Sequence, residues 1–103
     1  MTAAVAARLA EFQIELVAEA KSYCLFARAG IVAMANSDAT GEFSFLGSSG
    51  MMTPEGGVAY LVWRGEQALV VSHGDRQIAA TAEQVEEIQR FSADLKVALG
   101  LVR

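Results

Sequence analysis

The chain has few residues that cross-link a fold or interrupt its helices and strands: one cysteine, Cys24, and one proline in 103 residues. A single cysteine excludes an internal disulfide and is typical of a reducing compartment. No apolar run reaches the roughly 18 residues that suggest a membrane-spanning helix. Arg8, Glu11 and Glu15 also interrupt any signal-peptide pattern near the start. We therefore expect a cytoplasmic protein that does not bind membranes.

Basic residues are also scarce and scattered. Eight Lys and Arg stand against twelve Asp and Glu, which gives a net charge of −4. A phosphate backbone is normally met by a clustered basic face, so the sequence disfavours nucleic-acid binding. The chain has one histidine, and a lone histidine without other ligand types nearby does not define a metal site. We expect no metal and no other cofactor.

The apolar content is 53%, slightly rich for a small soluble protein, and it favours buried subunit contacts. The length fits one domain over residues 1–103. Thr2 can cap a helix that runs to about Lys21. Thr81 and Gln84 match a capping box at the start of a second helix. Its predicted packing stripe consists of Val85, Ile88, Phe91, Leu95 and Leu99.

The residues between the helices predict strands. Residues 22–28 and 31–36 form a hairpin pattern around Ala29 and Gly30, and residues 42–46 suggest a further short strand. Residues 58–80 predict a three-stranded antiparallel meander. The expected fold is therefore α+β, with an antiparallel sheet of about five to six strands flanked by an N-terminal and a C-terminal helix.

Two glycines set the register of the meander. Gly65 and Gly74 each occupy the first central position of a two-residue turn, which favours type II′ hairpins. This register pairs Trp63 with Ala68 and Leu61 with Val70. It also pairs Val71 with Ile78. Alternation then predicts one face with the bulk of a core: Val58, Tyr60, Val62, Leu69, Val71 and Ile78. The opposite face carries Ala59, Leu61, Trp63, Ala68, Val70 and Ala79.

Neither face contains a charge. In an antiparallel sheet with one solvent-exposed face, apolar and polar residues alternate along each strand. Two helices on one side leave the other side uncovered. We therefore predict a twofold homodimer whose interface contains Leu61, Trp63 and Val70. The corresponding function is a non-catalytic interaction or scaffolding module. The sequence is also consistent with a further protein as a partner. Trp63 is equally consistent with an ordinary core position.

An alternative is a protein that binds a small, anionic ligand. His73 and Arg76 lie opposite each other at the end of the meander, and Ser48 and Ser49 lie in a segment rich in glycine and serine, residues 47–57, which could gate a pocket. These polar residues are also consistent with ordinary turns and connectors. Catalysis by Cys24 or His73 is the third hypothesis. The apolar neighbours of Cys24 favour a structural role instead.

Overall fold

The computed structural model describes residues 2–38, 40, 42–46, 49–52, 58–71 and 77–101. The predicted α+β class is confirmed, and the described residues form an antiparallel sheet of eight strands rather than five or six. A helix precedes the sheet in the sequence and a second helix follows it. The elements are α1 (Ala3–Glu11), β1 (Glu15–Glu19), β2 (Tyr23–Arg28), β3 (Ile31–Ser37), β4 (Phe43–Leu46), β5 (Gly50–Met52), β6 (Val58–Arg64), β7 (Gln67–Val71), β8 (Gln77–Ala79) and α2 (Ala82–Ala98).

The first helix begins as predicted but ends ten residues earlier than Lys21. The Thr2 hydroxyl accepts a hydrogen bond from the Val5 amide at 3.2 Å. After Glu11 the backbone reverses, and Gln13 has a positive φ of 58°. The following residues form β1, which pairs with β2. Hydrogen bonds to β2 satisfy the backbone amides and carbonyls of β1, so this segment needs no helix. The predicted helix is therefore wrong over Glu15 and Glu19.

The first hairpin of the meander has the predicted register. Trp63 pairs with Ala68, and Leu61 pairs with Val70. Gly65 has a φ of 62°, a conformation that most other residues adopt only with strain. The hairpin between β2 and β3 is also present, with Arg28 opposite Ile31.

The second hairpin is shifted by one residue from the prediction. Ile78 pairs with Val70, and Gln77 pairs with Val71. The predicted partner of Ile78 was Val71, so that register is wrong. The turn that joins β7 to β8 lies outside the described residues. Because side chains alternate along a strand, the shift moves Ile78 to the same side of the sheet as Leu61 and Val70.

The segment predicted as a loop over residues 47–57 contains a strand. Gly50–Met52 pairs with β3 on one side and with β6 on the other. The main path through the sheet is β1-β2-β3-β5-β6-β7-β8, and β4 pairs with β3 off this path. Three of the residues assigned to a gating loop are therefore part of the sheet.

Both helices contribute to one core on a single side of the sheet. Phe26, Phe91 and Leu95 are fully buried there. The Thr81 capping box is confirmed by hydrogen bonds in both directions between Thr81 and Gln84. The core cluster comprises Val5, Leu9, Ile14, Cys24, Phe26, Ile31, Ala33, Ala35, Phe43, Ile88, Phe91, Leu95, Ala98 and Leu99.

The structure reverses the predicted assignment of the two meander faces relative to the helices, although Leu69, predicted on the core face, is buried. Leu61 packs against the core cluster on the helix side of the sheet. Tyr60 and Val62 were predicted to face the core, but they lie on the opposite side and are exposed. The error arose because both faces are apolar, so that the meander alone does not show which side the helices cover.

Candidate functional site

The side of the sheet that faces away from the helices is called the outer face here. Its register is continuous across the sheet, because Val32 pairs with Gly50, Gly50 pairs with Tyr60 and Tyr60 pairs with Val71. Leu25 and Met34 extend it on the β2 side. The residues at the centre of the outer face are Leu25, Val32, Met34, Gly50, Met52, Val58, Tyr60, Val62, Leu69 and Val71.

Several large apolar side chains of the outer face are open to solvent. Tyr60 is 48% exposed, Met34 45%, Met52 51% and Val62 38%. The residues that α1 and α2 contribute to the core cluster all lie on the other side of the sheet. Single exposed apolar residues are ordinary, but a contiguous set marks a binding surface in many proteins.

Charged side chains are confined to the margin of the outer face. Among the described strand residues, the register places only Glu15 and Arg64 on this side. Glu15 begins the edge strand β1, opposite Ala27, and Arg64 ends β6, opposite Gln67. The centre of the face is therefore apolar and uncharged.

The predicted interface residues lie elsewhere. Leu61 is half-buried against the core cluster, and Trp63 is on the same side of the sheet with 51% of its surface exposed. The backbone of Val70 pairs with Leu61, while its side chain lies outside the described residues. Met34 was not predicted as a surface residue, because faces were predicted only for the meander, and Met52 was predicted as a contact residue of a loop rather than of a strand. Extending the register through β5 to β3 would have joined these strands.

A groove lies beside Trp63, and we call it the Trp63 groove. It has a volume of about 530 Å³ and separates the end of the β6–β7 hairpin from the first half of α2. Ala68, Ala80 and Val85 supply apolar parts of its lining, and Glu66 and Glu86 supply carboxylates. Small side chains on the sheet leave this space open beside the large indole.

The predicted anion site cannot be placed. His73, Arg76 and Ser48 lie outside the described residues, so their ligand-binding role stays a prediction. Ser49 is described, and it is buried, with 6% of its surface exposed. Its Oγ has no hydrogen-bond partner among the residues that the structure describes. A buried hydroxyl without a partner destabilises a fold by about 1–3 kcal/mol.

We expect Ser49→Ala to raise the free energy of unfolding by about 1 kcal/mol, because alanine removes the unsatisfied hydroxyl without adding bulk. Urea denaturation measures this change. The control is Ser44→Ala on the exposed side of β4, which should alter stability by less than about 0.5 kcal/mol. A clear loss of stability in Ser49→Ala would show that the hydroxyl has a partner in solution.

Cys24 is buried in the core, and its Sγ lies 3.9 Å from Oε2 of Glu19 as a weak donor. Burial raises the pKa of the Cys24 thiol, and the negative charge of Glu19 raises it further. The thiolate is the reactive form, so both effects disfavour nucleophilic chemistry. The environment agrees with the structural role that the sequence favoured.

A second cleft, of about 290 Å³, lies beside Arg28. The Arg28 guanidinium donates to Asp94 Oδ2 and to the Phe12 carbonyl, each at 2.9 Å, and lies 5.4 Å from the centre of the Phe91 ring. These contacts join the end of α1, the sheet and α2. Arg28 is therefore engaged in holding the fold together rather than available to a ligand.

No group of three or more His, Cys, Asp or Glu residues in the described part of the chain is arranged to hold a metal ion. No described helix is long and apolar enough to cross a membrane.

Comparison with known proteins adds no assignment. The chain matches no protein-family model, no curated protein and no solved structure.

Proposed function

We propose that this protein is a non-catalytic interaction module that pairs with a second copy of itself through the outer face. The observation that carries the proposal is the exposed, uncharged apolar surface around Tyr60 and Val62. In water such a surface favours association. The single Cys24 supports a cytoplasmic location for the module.

The size of the outer face suits a second copy that associates weakly. Five neighbouring strands, β2, β3, β5, β6 and β7, span about 24 Å at the usual strand spacing. The strand β5 has three residues and is about 10 Å long, and the other four are about 17–23 Å long. The face then covers roughly 450 Å² per copy, or roughly 900 Å² for two copies, which is the size of a weak or transient interface. Two sheets can pack face to face at a separation of about 10 Å.

The distribution of charge also suits a twofold pair. In such a pair each patch meets its own copy, so a central charge would meet a like charge. Among the described strand residues, the outer face has no charge at its centre, and its two charged residues, Glu15 and Arg64, lie at strand ends. Tyr60 can bury its ring while its hydroxyl finds a polar partner. The interface in this proposal is therefore centred on Tyr60 and Val62 instead of Leu61, Trp63 and Val70.

The alternative of a gated anion site has no support among the described residues. Its gate overlaps β5, and its charged residues are not described. The anion site therefore stays a prediction from the sequence.

We expect the wild-type chain to form a dimer and Val62→Lys to raise its dissociation constant by about 50-fold, because the dimer would bury two like charges that face each other. Sedimentation equilibrium over a range of concentrations measures this constant. Val97→Lys is the matched control, since Val97 is 45% exposed on α2, away from the outer face. It should leave the dissociation constant unchanged.

Trp63→Asp provides a second arm of the same experiment. Trp63 is on the helix side, so this change should leave association intact. Circular dichroism must show that each variant is folded. A monomeric wild-type chain, or an equal loss of association in Val97→Lys and Val62→Lys, would refute the proposal.

A further inference from the structure

We infer that the Trp63 groove binds small organic ammonium ions that carry an apolar chain. The groove opens on the helix side of the sheet, so this site is separate from the outer face and does not depend on self-association. Its volume of about 530 Å³ falls within the range of about 300–1,000 Å³ that small-molecule sites occupy.

The apolar part of the groove exists because a large side chain is paired with a small one on the neighbouring strand. Trp63 lies directly opposite Ala68, and the Ala80 amide donates to the Ala68 carbonyl at 3.0 Å. The large indole of Trp63 therefore lies beside the small side chains of Ala68 and Ala80. Farther along α2, Ile88, Phe91 and Leu95 fill the space between helix and sheet. Near the start of α2 the groove is lined by the small Ala82, the partly buried Val85 and the polar Glu86 and Gln89, and no large apolar side chain of the helix lies there. An alkyl chain can occupy the remaining space.

The electrostatic part of the groove selects a cation. Glu66 lies in the β6–β7 turn and Glu86 lies on α2, and none of the described residues that line the groove is Lys, Arg or His. Two carboxylates repel an anion and attract an ammonium group. The exposed indole adds to this selection, because a tryptophan ring attracts cations through its negative face.

Glu86 already has one cationic neighbour. Arg90 donates to Glu86 Oε1 at 2.6 Å, and both side chains are largely exposed, at 61% and 69%. An exposed pair at this helical spacing contributes little to stability, so it can open or share its carboxylate with a ligand. Glu66 is the second carboxylate at the mouth of the groove. Both residues are needed for the expected selectivity.

The chain contains one tryptophan, so its fluorescence reports directly on the groove. We expect n-butylammonium chloride to change the Trp63 emission along a saturable curve. The neutral n-butanol should bind about tenfold more weakly, because it lacks the cation–π and carboxylate attractions. Butyrate should show no saturable effect.

Three variants test the role of charge. Glu66→Gln and Glu86→Gln should each weaken n-butylammonium binding by about threefold, the usual effect of one exposed carboxylate. Glu87→Gln is the matched control, because Glu87 is next to Glu86 but lines the cleft beside Arg28. It should change the affinity by less than about twofold, by screening of exposed charges.

The proposal is overturned if n-butylammonium gives no saturable change up to the millimolar range. It is also overturned if n-butanol or butyrate binds as tightly, or if Glu87→Gln has the same effect as Glu66→Gln. All three variants replace exposed glutamates and should fold normally.

Discussion

Replacing Phe91 with alanine should lower the free energy of unfolding by about 3–5 kcal/mol, the range for removing a fully buried aromatic side chain. Phe91 has no exposed surface and lies in the core between α2 and the sheet. The Arg28 guanidinium lies 5.4 Å from its ring centre. The variant would lose the buried ring, leave a cavity and remove this cation–π contact.

Urea denaturation monitored by circular dichroism measures the loss. Phe91→Leu keeps most of the volume and should lose about 1–2 kcal/mol. Val97→Ala, on the exposed side of the same helix, should change stability by less than about 0.5 kcal/mol. A small effect of Phe91→Ala would mean that this part of the core is loosely packed.

Gly50→Ala should destabilise the protein by about 3 kcal/mol, because the added methyl group has no space. A Cβ at this position would lie 2.5 Å from the Ala59 carbonyl oxygen and 2.9 Å from Cγ1 of Val58. The first of these contacts is with the backbone of β6, which moves only if the pairing between β5 and β6 is disturbed.

Gly65→Ala is the comparison for Gly50→Ala. A Cβ on Gly65 would meet nothing within 4 Å, although its φ of 62° is unfavourable for alanine. It should lose only about 1 kcal/mol through backbone strain. Equal losses in both variants, measured by thermal and urea unfolding, would contradict a steric cause at Gly50.

The parts of the fold that the sequence predicted correctly depend on short-range chemistry. The register of Trp63 against Ala68 follows from a two-residue turn at Gly65, and the start of α2 follows from the Thr81 capping box. In both cases residues within about four positions of each other determine the geometry.

The incorrect predictions depend on contacts that are distant in sequence. Apolar residues after Glu11 fit a helix, but the pairing of β1 with β2 decides their structure. Gly50–Met52 resembles a loop until β3 and β6 supply hydrogen bonds on both sides. Tyr60 and Leu61 have similar local patterns, so only the position of α2 decides which of them faces the core. The Trp63 groove depends on the same placement.

The Arg8 guanidinium reaches across from α1 and donates to the Ala98 carbonyl at 2.9 Å, although the two residues are 90 positions apart. The core that lies between them includes side chains from the start, the middle and the end of the chain. During synthesis, the apolar strands therefore leave the ribosome well before the residues that will shelter them. Contacts between positions so distant in sequence slow folding, so that aggregation-prone intermediates expose apolar surface for longer. We expect the nascent chain to depend on chaperones until its last helix has been released.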